Sequence, residues 1–150
     1  ALRPYDGRMW SALAGCYEAL DMITDALRCY QRSRDNGEQT RALVKMGELY
    51  RKIDENDQAA FYFTQCLQLQ RSDNNTGTGN GRVSTIMNED MEAGILLFLT
   101  RYYMREAKPP QYELARTYCN TLVHQFPSYS QKDLAQQMLR ESDAFLQIPT

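Results

Sequence analysis

An all-α solenoid, three helical hairpins and a capping helix, is the fold that this 150-residue chain predicts. Three observations carry it. Val and Ile together supply only eight residues, so the β-branched material of a sheet is missing. Gln, Glu, Leu, Ala, Met and Arg are plentiful, and they lose little freedom on entering a helix. Finally, the chain repeats itself. Trp10-Ser-Ala-Leu13-Ala14-Gly-Cys-Tyr17 aligns with Leu43-Val-Lys-Met46-Gly47-Glu-Leu-Tyr50, and Ala26-Leu-Arg-Cys-Tyr30 with Ala59-Ala-Phe-Tyr-Phe63, at a constant offset of 33. Such a period is the signature of stacked supersecondary units.

The elements follow in order. Trp10, Leu13, Tyr17 and Leu20 recur at three- and four-residue steps, giving one apolar face to a helix over 7–20. Asp6 stands where an N-cap belongs. A second helix covers 23–34, with Ala26 small enough to let its partner approach. Helices over 39–52 and 57–70 repeat the pair, with Gly47 and Ala59 at the close-approach positions and Asn56 as the next N-cap. Residues 71–88 are rich in Gly, Asn, Ser and Thr without any period, which predicts a surface loop. A third copy resumes with Leu96-Leu-Phe-Leu99-Thr100-Arg-Tyr-Tyr103 and Ala115-Arg-Thr-Tyr-Cys119, predicting helices over 89–105 and 111–125. Tyr103 and Ala115 are 12 apart, whereas Tyr17 and Ala26 are 9 apart. Three residues are therefore added in the turn that holds Lys108-Pro109-Pro110, where Pro110 suits the first turn of the next helix. Ser130-x-x-Asp133 reads as a capping box before a last helix over 130–147. That helix carries Leu134, Met138, Leu139 and Phe145 and has no hairpin partner, so it closes the stack.

Composition excludes several functions. No apolar run reaches the roughly 18–20 residues of a membrane span. A net charge of −2 with mixed signs does not make a nucleic-acid surface. Cys16, Cys29, Cys66 and Cys119 are far apart, with no CxxC pair and a single His124. They read as free thiols at packing positions, not as a zinc site. Gly77-Thr-Gly79-Asn-Gly81 lacks the Lys and Ser/Thr of a phosphate loop. Asp54/Glu55 and Glu89/Asp90 lie at helix starts, where they favour the helix dipole.

The repeat resembles the tetratricopeptide repeat, with its W-x2-L-G-x2-Y, A-x3-F and P positions. Trp10, Leu13, Tyr17, Ala26 and Tyr30 carry the match in the first copy. Met46, Gly47, Tyr50, Ala59 and Phe63 carry it in the second, and Leu99, Tyr103, Ala115 and Pro127 in the third. Ala14 and Thr100 depart from the usual Gly, and Cys119 from the usual aromatic. Repeats span about 7–39, 40–72 and 93–127. Pro4 takes the place of the closing Pro of a preceding unit, which predicts a piece of a longer solenoid.

The resemblance implies that the first helix of each hairpin lines a concave groove. Arg8, Ser11, Glu18, Arg41, Val44, Glu48, Arg51, Lys52, Arg101 and Arg105 are then the groove candidates. Guanidinium groups there suit an acidic or carboxylate-bearing peptide, because they fork onto it. Chaperone clamps of this family use an inner Asn where Gly15 and Glu48 stand here.

A more specific likeness lies in Arg3-Pro4-Tyr-Asp6-Gly-Arg8-Met9-Trp10 through Glu18, in Ala26-Leu-Arg-Cys29-Tyr30-Gln-Arg32, and in Ala42 to Tyr50 with Gln58-Ala59-Ala60. These segments resemble the C-terminal repeats of the tetratricopeptide scaffold subunits of the anaphase-promoting complex. The resemblance implies a non-catalytic scaffold of a cell-cycle ubiquitin ligase in nucleus and cytoplasm. Its implied partners are the other subunits and coactivator tails, with no cofactor, no nucleic acid and no membrane. It also implies a homodimer for the whole protein and a monomer for this stretch. A chaperone cofactor or transport adaptor remains the alternative.

Overall fold

The computed structural model describes residues 6–75 and 89–147. All of their regular structure is helical, and the chain divides into two compact units, Ala1–Ile86 and Met87–Thr150. The predicted all-α class holds.

The first unit contains α1 (Gly7–Ala19), α2 (Ile23–Asp35), α3 (Gln39–Lys52) and α4 (Asn56–Asn75). α1 packs on α2, α2 on α3 and α3 on α4. Asp6 caps α1 as expected: its Oδ1 accepts the Met9 N–H at 3.0 Å, satisfying one otherwise unpaired backbone donor.

The turns repeat as the sequence does. The Tyr17 carbonyl accepts the Met22 N–H at 2.8 Å, and 33 residues later the Tyr50 carbonyl accepts the Glu55 N–H at 2.8 Å. Asp21 and Asp54 sit at the same left-handed position, with φ of 59° and 62°. Asp tolerates that conformation better than most residues.

Close approach within the second hairpin is real. A Cβ on Gly47 would stand 2.5 Å from the ring of Phe63, which is itself 2% exposed. The ring fills the space that the missing side chain leaves.

The second unit contains α5 (Glu89–Arg101), a π-helical turn (Tyr102–Glu106), α6 (Tyr112–Gln125) and α7 (Lys132–Gln147). α5 packs on α6, α6 on α7, and α5 also touches α7. The closing bond of the turn survives the insertion: the Tyr103 carbonyl accepts the Gln111 N–H at 2.8 Å. The three added residues lie between those two anchors. A π turn takes up extra chain in a helix, so the helix end and the loop share the insertion. Leu99, Leu122, Ala135 and Met138 form the buried centre of this unit.

Several local expectations need correction. α4 runs on to Asn75, so the polar stretch expected as loop from residue 71 begins as helix. Residues 76–88 and Pro4 lie outside the described residues. Asn56 is the first helical residue of α4 instead of its cap. Pro110 precedes Gln111, the N-cap of α6, and so lies before the first turn. α7 starts at Lys132 with Asp133 in its first turn, one residue later than a box begun at Ser130 requires. Leu13 and Leu20, expected to pack, are 36% and 68% exposed, and Cys16 is exposed too. α2 covers only the Ala14 side of α1, leaving a second apolar arc open.

Candidate peptide groove

The groove candidates separate by unit. Eight of them, Arg8 to Lys52, belong to α1 and α3; Arg101 and Arg105 belong to the other unit, on the last residue of α5 and on the π turn. Each unit therefore carries its own set.

In the first unit, the 33-residue period pairs Arg8 with Arg41, Ser11 with Val44 and Glu18 with Arg51. Arg8 and Arg41 are exposed. Arg8 lies 3.8 Å from Asp6. Arg51 and Lys52 are exposed at the end of α3, and Lys52 Nζ stands 3.9 Å from Asp21 on the turn after α1. Lys45 Nζ pairs with Glu48 at 3.7 Å. These pairs are solvated and add little stability; they set the charge pattern of the face. Ser11 is half-buried. Val44 is 3% exposed, which corrects its assignment as a groove contact. It lies in the interior and supports the face from behind.

Glu18 is brought together with a residue that the sequence had placed only as a space filler. The Tyr30 hydroxyl donates to Glu18 Oε2. Burial first, then this bond and the charges of Glu18 and Glu48, push the Tyr30 phenol well above its usual value. Glu18 of α1 thus bonds Tyr30 of α2, and the Glu48 charge on α3 acts on the same phenol. The signal available in the sequence was a Tyr at the aromatic position where a Phe fills the second copy. A hydroxyl on a buried ring needs a partner.

In the second unit, Arg101 is exposed, and Arg105 reaches Glu141 of α7 at 3.4 Å. Beside them, Arg116 Nε stands 2.8 Å from Asp143 Oδ1, an ionic contact poorly aligned for a hydrogen bond. An open cleft of about 640 Å³ runs past Pro110, Tyr112, Leu114 and Leu146, with Tyr112 stacked on Phe145 at 4.5 Å between ring centres.

Two buried thiols, Cys29 and Cys119, are tuned away from nucleophilic chemistry. Burial raises Cys29, and burial with the nearby Asp143 charge pushes Cys119 up to about 11. A reactive thiol needs the opposite shift. Among the described residues, no three His, Cys, Asp or Glu side chains stand close enough to share a metal ion. The arrangement offers exposed guanidinium and ammonium groups on helical faces, suited to holding an extended acidic segment.

Helical hairpins whose closing turns recur at one fixed offset define a tetratricopeptide-like helical fold. No family model matches the chain. Over 123 residues, 81% of its length, the chain is 33% identical to anaphase-promoting complex subunit 8 of Dictyostelium discoideum. The chain spans 18% of that relative's length.

Proposed function

We propose that this chain is a non-catalytic scaffold and interaction segment of an anaphase-promoting complex, serving the cell-cycle ubiquitin ligase. The similarity to subunit 8 of that complex over most of the chain carries the reading. The helical hairpins support it, because such units present surface for binding and no enclosed reaction centre. The inner faces of α1 and α3 receive an extended acidic tail from a coactivator or neighbouring subunit. Arg8, Arg41 and Arg51 supply the guanidinium groups, and Arg101 and Arg105 offer a second place of the same chemistry.

Affinity capture from native extract tests the assignment. Recovery of other ligase subunits is the expected result. Recovery of chaperones or transport components without them would establish the alternative adaptor role. For the groove, Arg41→Glu is expected to weaken tail binding by about tenfold, the worth of one charge-assisted hydrogen bond. Unchanged affinity would remove Arg41 from the site.

A further inference from the structure

The end of α2 carries a chemistry that the groove does not use. Asn36, its C-cap, is followed by Gly37, and both are exposed. In an Asn–Gly pair the backbone nitrogen readily attacks the preceding side-chain amide, because Gly has no side chain to shield it. Gly37 is open in this sense. A Cβ there would meet nothing within 4 Å, and its φ of 109° is one that Gly adopts freely. Among the described residues, nothing accepts its N–H.

Asn36 is held by two bonds. Its Nδ2 donates to the Arg32 carbonyl at 2.6 Å, and its carbonyl accepts the Gly7 N–H, at the start of α1, at 3.0 Å. The fit is close: a Cβ on Gly7 would stand 2.8 Å from that carbonyl oxygen. Ring closure requires the Gly37 nitrogen to swing beside the Asn36 Cβ, and at a ψ of 29° it stands nearly opposite. Turning ψ carries the Asn36 carbonyl away from Gly7, so the latch on α1 gates the reaction. The 33-residue period puts Leu69 and Gln70 at this place, within α4. The latch therefore belongs to the first hairpin and not to the repeat.

We propose that Asn36 is a site of spontaneous deamidation in the folded chain, and that its conversion releases the start of α1 from the end of α2. The Gly37 nitrogen gives its proton to a solvent base and bonds to Asn36 Cγ. The Cγ–Nδ2 bond breaks, and ammonia leaves with a proton returned by the solvent. Water then opens the cyclic imide: at Cγ it yields aspartate, and at the main-chain carbonyl it yields isoaspartate, whose chain runs through Cγ. In sum, one water is consumed and one ammonia released. Either product only accepts hydrogen bonds where Asn36 donated to the Arg32 carbonyl. Either also adds negative charge at a helix C-terminus, where the dipole disfavours it. Isoaspartate further lengthens the backbone by one carbon and turns the carbonyl that held Gly7 into a free carboxylate. The inference is independent of what the groove binds.

Ageing the chain in mildly alkaline buffer, with and without denaturing urea, and mapping its peptides by mass tests the site. Asn80–Gly81, the other such pair in the sequence, is the reference, and the two are expected to convert alike in urea. In the folded chain Asn36 is expected to convert about thirtyfold more slowly than in urea, the cost of opening two hydrogen bonds. An Asn36 still intact after about a hundred urea half-lives would overturn the site. Ser33→Ala, which removes the neighbouring Ser33–Gly7 bond, is expected to speed folded-state conversion several-fold, and equal rates would overturn the latch. The Gly7 amide reports the release: its hydrogen exchange is expected to be about tenfold faster in the isoaspartate form than in the fresh chain. Unchanged exchange would overturn the release of α1.

Discussion

At the residue scale, the two mid-helix glycines of the first unit make opposite predictions. A Cβ on Gly15 would meet nothing within 4 Å, whereas one on Gly47 would run into the buried Phe63 ring. Gly15→Ala is therefore expected to stabilise the chain by about 0.5–1 kcal/mol, the ordinary gain of Ala over Gly in a helix. Gly47→Ala has the same gain but must push a ring that is 2% exposed, and overpacking costs about 1–3 kcal/mol. Its net effect is a loss. Urea midpoints of the two variants check the pair, and a stabilised Gly47→Ala would show that the ring can move. The same size argument suits the third copy's departure from the repeat pattern: Thr100, fully buried, takes the place of Gly47, and the much smaller Cys119 takes that of Phe63. Trp10 falls short of the full burial its place in the pattern suggested: it is half-buried, with the Arg32 guanidinium 5.1 Å from its ring centre. Trp10→Ala is accordingly expected to cost about 2 kcal/mol, below the 3–5 of a fully buried ring.

At the element scale, each hairpin of the first unit is closed by a clasp from its second helix to the start of its first. Ser33 Oγ donates to the Gly7 carbonyl at 2.6 Å, and at the same place in the repeat Cys66 Sγ lies 3.9 Å from the Thr40 carbonyl. Ser33→Ala removes this bond while the Gly7 carbonyl keeps its place in the helix ladder, and it is expected to cost about 0.5–1.5 kcal/mol, read as a lower urea midpoint. An unchanged midpoint would mean that water replaces the hydroxyl. Helix identity and order were legible because the 33-residue period and the small-residue positions are local facts. The expected 23–34 and 39–52 became Ile23–Asp35 and Gln39–Lys52. What stayed hidden was tertiary. An i, i+3, i+4 pattern marks Leu13 as apolar without telling how much of it the first unit covers, and it is left 36% exposed there. Likewise, α4 runs on to Asn75 through Ser72, Asp73 and Asn74, which are poor helix formers, so no local signal marks that extension. Of the site, the charged faces were legible as repeat pairs, while the Tyr30–Glu18 bond needed α1 and α2 to be packed first.

At the scale of the whole molecule, buried acids make alkaline stability a measure of how tightly both units are packed. In the first unit, burial is the leading cause that raises Cys29, Tyr30 and Tyr50 above their usual values, and in the second it does so for Cys119. An unfolded chain releases its thiol protons near 9 and its phenol protons near 10, while the folded chain holds them longer. The unfolded state therefore binds fewer protons over this range, and stability falls as pH rises. The contribution is fully present below about pH 9, where neither state has ionised. For Cys119 it is lost between the unfolded value of 9.0 and the folded value of about 11. Urea midpoints are accordingly expected to be level from pH 7 to 8.5 and to decline from pH 9 to 10.5. Lysines titrate in the same window, so the decisive comparison is the slope of Cys119→Ala against the parent chain. The variant begins less stable, having lost a buried group 2.9 Å from the Ala135 carbonyl, yet it should decline less steeply. Parallel slopes would mean that the thiol ionises as readily in the folded chain as in the unfolded one, and that the α6–α7 contact is open to water.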